Sequence, residues 1–395
     1  MNRSRSTDRA GRPRLARLAG AVMALSLVVA ACGDDEETTS TTVPAETEAT
    51  DAPEATDAPE ATDATDAPEA TDGGEAGGTD LDTNGDGKVV FGVATPGPRD
   101  DGAYYQALVE GVTAVTEANG YEAPIIVDNI DPSQADTELR NLIRQGVDVI
   151  AIGASEIADS LPTLAEEFAD VFWYCNCGAS GQIEGVAQSA DDSSQISYSA
   201  GYATGLLLQE TESTNAAFLG CCDLNFEKEA YLAFELGLQA VNPDFTMTYI
   251  PTGDFNDVAG ATEAFNQALA AGAGAVYPYL GGAHEAVVGL SNENGVITMS
   301  AGASNVCERT DLDYQLAVQF DAGDYLEVIF DAILAGELQE GETLVFNVGE
   351  FDFVGAKFCD ATDEQVAALD DIKTRIAAGE FDEILFEVKS EAYGF

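Results

Sequence analysis

From residue 88 onward, short apolar runs alternate with stretches whose apolar residues recur at helical spacing. The runs at 89–94, 124–127, 147–152, 171–174, 216–219, 246–250, 274–279 and 295–299 have strand length and are bounded by Gly, Asn, Asp and Pro. Between them, 104–119, 135–145, 157–168, 227–241 and 259–271 read as amphipathic helices. The strands are apolar almost throughout rather than at every second position. Such strands are buried on both faces, which predicts parallel sheets covered by helices on each side. Four strand–helix units precede a polar stretch near 190–198 and four follow it. The expected fold is therefore α/β, with two Rossmann-like lobes joined by hinge crossovers. One lobe spans 88–194 and is completed by about 320–342; the other spans 195–319 and is completed by about 343–395. In the closing part, 324–335 reads as a helix, 343–348 and 351–358 as strands, and 364–378 as a final helix stopped by Gly379.

The pattern before residue 88 is different. Residues 33–87 hold almost no large apolar side chain and repeat Ala-Thr-Asp-Ala-Pro-Glu, as at 55–60. Such a segment cannot bury enough surface to offset its chain entropy, so it is expected to be an extended acidic tether. At 82–87 the oxygen-bearing residues alternate as in a calcium loop, but Val93 stands at the twelfth position from Asp82, where a closing Glu is needed, so a turn is expected. Residues 1–32 have an export pattern: Arg3, Arg5, Arg9, Arg12, Arg14 and Arg17, then an apolar stretch, then Val29-Ala30-Ala31-Cys32. That ending resembles the bacterial lipobox. It implies acylation of Cys32 and anchoring in the bilayer on the extracytoplasmic face of the cell membrane.

Composition narrows the partners. Sixteen Lys and Arg stand against 71 Asp and Glu, a formal charge of -55. A field of that sign repels nucleic acid and anionic lipid, and nucleic acid is excluded as a partner. Of seven cysteines, six remain once Cys32 is assigned to lipid. An even number in an exported chain suggests disulfides, with several pairings open. Cys307 with Cys359 is preferred, because both follow strands placed in one lobe. Cys221-Cys222 reads either as two buried thiols or as a vicinal disulfide. No CxxC occurs and His284 is the only histidine. No redox centre, metal site or cofactor is expected, and His284 itself reads as a solvated residue at a helix start.

In open parallel sheets, ligands sit beyond the carboxyl ends of the strands. Position alone then nominates Asp100, Asp101, Tyr104 and Tyr105 after the first strand, Ser155 after the third, and Tyr174 and Asn176 at the fourth. Asp223 and Phe226 follow the fifth strand, Tyr279 and Gly282 the seventh, and Ser300 the eighth. Asp101 is equally a favoured helix N-cap. Tyr277 and Tyr279 lie on one strand, and either could be core. Asp254 and Asn256 read as turn residues.

Several segments resemble the basic membrane protein (BMP) family of ABC-transporter solute-binding lipoproteins, which includes PnrA-like nucleoside binders. Asp100-Asp101-Gly102-Ala103-Tyr104-Tyr105-Gln106 with Glu110-Gly111 is similar to its Asp-Asp-x-Ser-Phe-Asn-Gln…Glu-Gly. Val241-Asn242-Pro243-Asp244, Gly281-Gly282 and Ile376-Ala377-Ala378-Gly379-Glu380 fall in the family's order. The resemblance implies a type I periplasmic-binding fold with three hinge crossings. It implies a monomer that hands a small-molecule solute to an ABC permease, and no catalysis. Carried over by position, Asp101 hydrogen-bonds the ligand and Tyr104 replaces a stacking Phe. The family's Asp-containing run after the eighth strand is here Met299-Ser300-Ala301-Gly302-Ala303, and its later Lys is missing from Ala317-Val318-Gln319-Phe320-Asp321. Both groups grip sugar hydroxyls in nucleoside binders. The expectation is a neutral or cationic solute, partly planar or hydroxylated. The alternatives are a lipid-anchored receptor that presents its ligand to a membrane sensor and, distantly, a hydrolase. For the hydrolase there is no Ser-His-Asp set or phosphate loop in the pattern.

Overall fold

The computed structural model describes residues 79–178 and 181–395. The signal and lipidation site expected at 1–32, Cys32 included, and the tether as far as residue 78 lie outside the described residues. The tether expected to reach 87 ends sooner: Leu81 is buried in the core at 2 % exposure, and the Thr83 hydroxyl and Asn84 N–H donate to Asp148, so the packed part begins earlier. The turn at 82–87 is closed by Asp82, whose carboxylate accepts from the backbone N–H of Asp86 at 3.1 Å and of Gly87 at 2.9 Å.

The first part of the chain runs β1 (Phe91–Ala94), α1 (Tyr104–Asn119), β2 (Ile125–Val127), α2 (Ala135–Ile143), β3 (Val149–Gly153), α3 (Leu161–Glu167), β4 (Phe172–Asn176) and β5 (Ala187–Asp191). Then follow α4 (Ser193–Leu208), β6 (Asn215–Gly220), α5 (Asn225–Val241), β7 (Thr246–Pro251), α6 (Val258–Ala270), β8 (Ala273–Pro278), α7 (His284–Asn294) and β9 (Ile297–Thr298). The chain closes with β10 (Leu316–Gln319), α8 (Ala322–Ala335), β11 (Thr343–Phe346), β12 (Gly355–Phe358), α9 (Asp363–Ala377) and α10 (Asp382–Tyr393). One sheet has the order β11-β5-β4-β3-β1-β2 and a second the order β7-β6-β8-β9, all parallel; β10 and β12 form an antiparallel pair. This is the doubly wound α/β arrangement expected from the uninterrupted apolar strands.

Each sheet buries both faces. In the first, Phe91, Val93 and Val149 pack toward α1 and α8, while Ala94, Ile150 and Trp173 pack toward α2 and α3. In the second, Phe218 and Tyr277 face α4 and α5, while Leu219 and Val276 face α6 and α7. Helices α4 and α5 cross closely because Gly201 and Gly237 lie at the contact. A Cβ on either would strike a backbone carbonyl of the other helix.

Four departures from the sequence pattern have physical reasons. The polar stretch near 190–198 is the end of β5 and the start of α4. The interior polar groups of β5 are satisfied locally: Gln188 donates to the Gly181 carbonyl at 2.8 Å, and Ser189 shares a hydrogen bond of 2.7 Å with Tyr174. Thr343–Phe346, assigned above to the second lobe, pairs with β5 as the edge of the first sheet, so the return crossing comes after it. Of 351–358 only Gly355–Phe358 is a strand; Phe351 and Phe353 instead pack on Phe346. Helix α9 is not the last, since α10 follows it.

The six described cysteines pair as Cys175–Cys177, Cys221–Cys222 and Cys307–Cys359. The last joins the turn Asn305–Glu308 to the end of β12 with Cα atoms 4.9 Å apart. His284 is buried at 1 % exposure, not solvated. Its Nδ1 lies 2.8 Å from the Pro278 carbonyl and its ring stacks on Tyr314.

Candidate functional site

The carboxyl ends of both sheets open on one cavity of about 480 Å³. From the first lobe it is lined by Tyr104 and Tyr105 at the start of α1, Ser155 and Glu156 after β3, Asn176 at the end of β4, and Asp191 at the end of β5. From the second lobe come Ser197 of α4, Phe226 and Glu229 of α5, Phe255 after β7, and Tyr279, Leu280 and Gly281 after β8. Phe320, between β10 and α8, and Lys389, Tyr393 and Phe395 of the closing segment complete the wall.

Of the residues nominated from position, Tyr104, Tyr105, Ser155, Asn176, Phe226 and Tyr279 lie together on this cavity. The others do not line it. Asp101, at 6 % exposure, uses its carboxylate to accept from the N–H groups of Ala103 at 3.0 Å, Tyr105 at 3.3 Å and Gln106 at 3.0 Å. Lying two residues before the N-cap Ala103, it caps free N–H groups of the first turn of α1 and so helps to place Tyr104 and Tyr105. Asp100 and Asp223 stand apart from the cavity; Asp223 has a positive φ of 56° in the turn before α5. Tyr174 is core, bonded to Ser189. Ser300 is core as well, donating to the Ala303 carbonyl at 2.8 Å and accepting from Val318 N–H at 3.0 Å. Gly282 donates to Asn256 at 2.7 Å, fixing the loop in which its neighbour Gly281 touches the cavity. Tyr277 is core and Tyr279 reaches the cleft.

The aromatic wall is ordered. Phe226 and Phe255 stack with ring centroids 6.4 Å apart, Tyr279 and Phe320 at 5.9 Å, and Tyr104 meets Tyr105 edge-on at 5.6 Å. The polar groups are fewer. The Nδ2 of Asn176 is buried and has no hydrogen-bond partner among the described residues. This amide is free to donate to a group that enters the cavity.

Three carboxyl groups reach the cavity. Burial raises Asp191 to about 7, helped by Glu229 and Asp192 and opposed by the Tyr325 hydroxyl, which donates to it at 3.3 Å. Burial also raises Glu156, with Tyr105 in hydrogen-bonding reach acting the other way. Burial raises Glu229, at 5 % exposure, against the pull of Lys389 and of the Ser194 N–H that donates to it at 3.1 Å. Lys389 is bound to Asp192 at 2.7 Å. The cavity therefore pairs π-faces with an excess of carboxyl groups over cations, and could hold a planar group, a hydrogen-bond acceptor and a positive charge at once.

Comparison with known proteins agrees with this architecture. Residues 88–380 match the Bmp family, described as ABC transporter substrate-binding protein PnrA-like. The chain belongs to this family. Membership makes it a solute-binding protein of the ABC transporter type, whose kind takes a small molecule and works with a membrane permease. Among solved structures, an ABC transporter solute-binding protein from Conexibacter woesei is similar at 21% identity and TM-score 0.57, covering 74% of this chain and 97% of that one. One from Aeropyrum pernix matches at 14% identity and TM-score 0.64, covering 76% and 98%. The fold is shared more widely: a transcriptional activator of the comK gene from Bacillus halodurans matches at 17% identity and TM-score 0.59, covering 74% and 98%. No curated protein matches the chain. The fold and the family stand as the sequence implied. Among the described residues, no helix is long and apolar enough to cross a membrane.

The residues that sequence reasoning missed are Glu156, Asp191, Ser197, Glu229, Phe255, Phe320, Lys389, Tyr393 and Phe395. Glu156 stands beside the nominated Ser155, and Phe255 between two residues read as turn, so strand-tip position pointed to both neighbourhoods. Asp191 ends a strand too polar to be recognised. Lys389 and Tyr393 belong to the helix that was not expected.

Proposed function

We propose that this protein is the extracytoplasmic solute-binding lipoprotein of an ABC importer, held to the membrane by acylated Cys32, and that its inter-lobe cavity takes an organic cation with a planar portion. One observation carries the ligand class. Asp191, Glu156 and Glu229 converge on a cavity lined by aromatic rings, and its one cation, among the described residues, is already paired with Asp192. A ligand ammonium would regain charge pairing for groups whose burial disfavours ionisation, and its ring would lie against Phe226, Tyr279 or Tyr104. The unpartnered amide of Asn176 supplies a donor for an acceptor on the same ligand. A neutral nucleoside fits the rings and the amide and its hydroxyls can donate to a carboxylate, but it brings no positive charge to three converging acids. Closing the lobes over the solute would present a different surface to the permease.

The test is mass spectrometry of whatever is released from the purified protein on denaturation, with a thermal-shift screen of amines, nucleosides and sugars. A bound or stabilising organic cation is the expected result, raising Tm with concentration. Stabilisation by neutral nucleosides and by no amine would overturn the charge assignment. Metabolic labelling with a fatty acid that is lost in Cys32→Ser tests the anchor.

A further inference from the structure

The family match ends at residue 380, yet the cavity does not. Helix α10 packs Leu385, Val388 and Ala392 against α5 and α4, and Lys389 and Tyr393, flanking that buried stripe, meet the solute cavity. Lys389 Nζ binds Asp192 Oδ2 at 2.7 Å. Asp192 is the N-cap of α4, where the chain passes from the first sheet to the second lobe. Its other oxygen accepts from Ser194 Oγ at 2.6 Å and from Gln195 N–H at 3.1 Å. Tyr393 lies in hydrogen-bonding reach of Glu229 and meets Phe395, whose ring centroid is 6.4 Å away. Lys228 donates to the Glu391 carbonyl at 2.9 Å, a second tie between α10 and α5.

We propose that α10, although outside the family-matched region, is a specificity-determining wall of the solute site: Tyr393 closes one side of the cavity, and Lys389 clamps the crossover through Asp192. This rests on the solute-site reading above. The wall sets ligand size, because the Tyr393 ring at the end of α10 occupies space that strand-tip residues alone would not fill, while Phe395 beyond it touches the cavity but is largely exposed. The clamp is a positioning device. It holds the start of α4 and so fixes where Asp191 and Ser197 face the ligand. It also places a positive charge next to Glu229, which lowers the cavity's pull on a cation.

The experiment measures binding of tryptamine, tryptophol and indole-3-acetate, one ring carrying positive, neutral and negative groups. Calorimetry is run on the wild type and on Tyr393→Ala, Tyr393→Leu, Lys389→Met and Lys389→Arg. In parallel, amide hydrogen exchange is followed over 193–197 without ligand, a readout independent of ligand identity. The expected result is a loss of about tenfold for whichever probe binds best in both Tyr393 variants. Exchange over 193–197 should be several-fold faster in Lys389→Met and restored in Lys389→Arg. Lys389→Met should also shift the ratio of tryptamine to tryptophol affinity toward tryptamine, which a purely structural role would not do. If a probe binds and the Tyr393 variants match the wild type within twofold, the wall is overturned. Unchanged exchange in Lys389→Met overturns the clamp. A wild type that prefers tryptophol, but loses it in the Tyr393 variants, keeps the wall and removes only the charge assignment. If no probe binds the wild type, the wall is overturned as a contact for a planar ring, and the exchange result decides the clamp.

Discussion

The two lobes present different chemistry to one gap. The first supplies mainly hydrogen-bonding and acidic groups from strand ends: Asn176, Ser155, Glu156 and Asp191, with two tyrosines that Asp101 helps to place. The second supplies rings, Phe226 stacked with Phe255, and Tyr279, which stacks on Phe320 of the crossover between β10 and α8, and one buried acid on a helix, Glu229. An open protein would offer a ligand either directional contacts or apolar surface. Only the closed one offers both. That asymmetry gives the solute a reason to stabilise closure, because neither half-site satisfies it alone. It also separates the roles of the walls, which substitutions can test one at a time.

The largest expected effect lies in the second lobe, beneath its binding surface. Burial lowers His284 to about 4 from its ordinary 6.5, with the Pro278 carbonyl acting the other way. Because the folded value lies below the unfolded one, an acidified unfolded chain binds a proton that the folded chain refuses. The stabilisation is complete above about pH 6.5 and is lost as pH falls toward 4, by roughly 3 kcal/mol. Denaturant titrations between those limits should show it, and His284→Gln should remove that part of the slope. A wild type as steep as the variant would mean that the imidazole is not held neutral.

Asp191 runs the opposite way at the edge of the first lobe. Its value of about 7 lies above the ordinary carboxylate value of 3.8, so its protonated form favours folding at low pH and that contribution is lost as pH rises through 7. Asp191→Asn is expected to raise the unliganded Tm by a few degrees at pH 8. The same change should weaken a cationic ligand by about 2 kcal/mol, roughly thirtyfold. In the wild type, cation affinity should fall as pH drops through 7, since the carboxylate must be ionised to pair. Glu229, Asp192 and Tyr325 face the same group, so the step will be broad. A neutral ligand should show the reverse trend or none. Asn176→Ala comes next, at about 1 kcal/mol, and should act only on ligands that carry an acceptor.

Much of this site was legible in the sequence because strand ends are legible. Apolar runs located β1, β3, β4 and β8, and the residues after them, Tyr104, Ser155, Asn176 and Tyr279, do converge. The same rule over-reached at Asp100, Asp223 and Ser300, since a strand tip has an inner and an outer side and the pattern does not say which a side chain takes. The acidic wall was hidden for a different reason. β5 carries Gln188, Ser189 and Asp191 among its five residues and no large apolar side chain, and Gln188 and Ser189 are satisfied through tertiary contacts that the pattern does not show. Glu229 and Lys389 lie on helices, where a charged residue ordinarily marks the solvated face. His284 was misread on the same ground, as its burial follows from the Pro278 carbonyl and the Tyr314 ring.

The smallest predicted effect gives the sharpest reading of the aromatic wall. Phe226→Leu keeps an apolar side chain at the start of α5 but removes the ring stacked on Phe255. A flat ligand should lose about 1 kcal/mol, the usual worth of an aromatic pair beyond buried area. A saturated amine of similar size, such as cyclohexylamine, should lose much less, because it gains only burial and charge pairing. Calorimetry of tryptamine and cyclohexylamine on the two proteins measures that difference directly. Equal losses would mean that the second lobe supplies apolar surface only, and the division of labour between the lobes would reduce to polar against greasy. A selective loss for the flat ligand would place its ring against Phe226 on the second lobe, and Asp191→Asn then tests separately where its charged end lies.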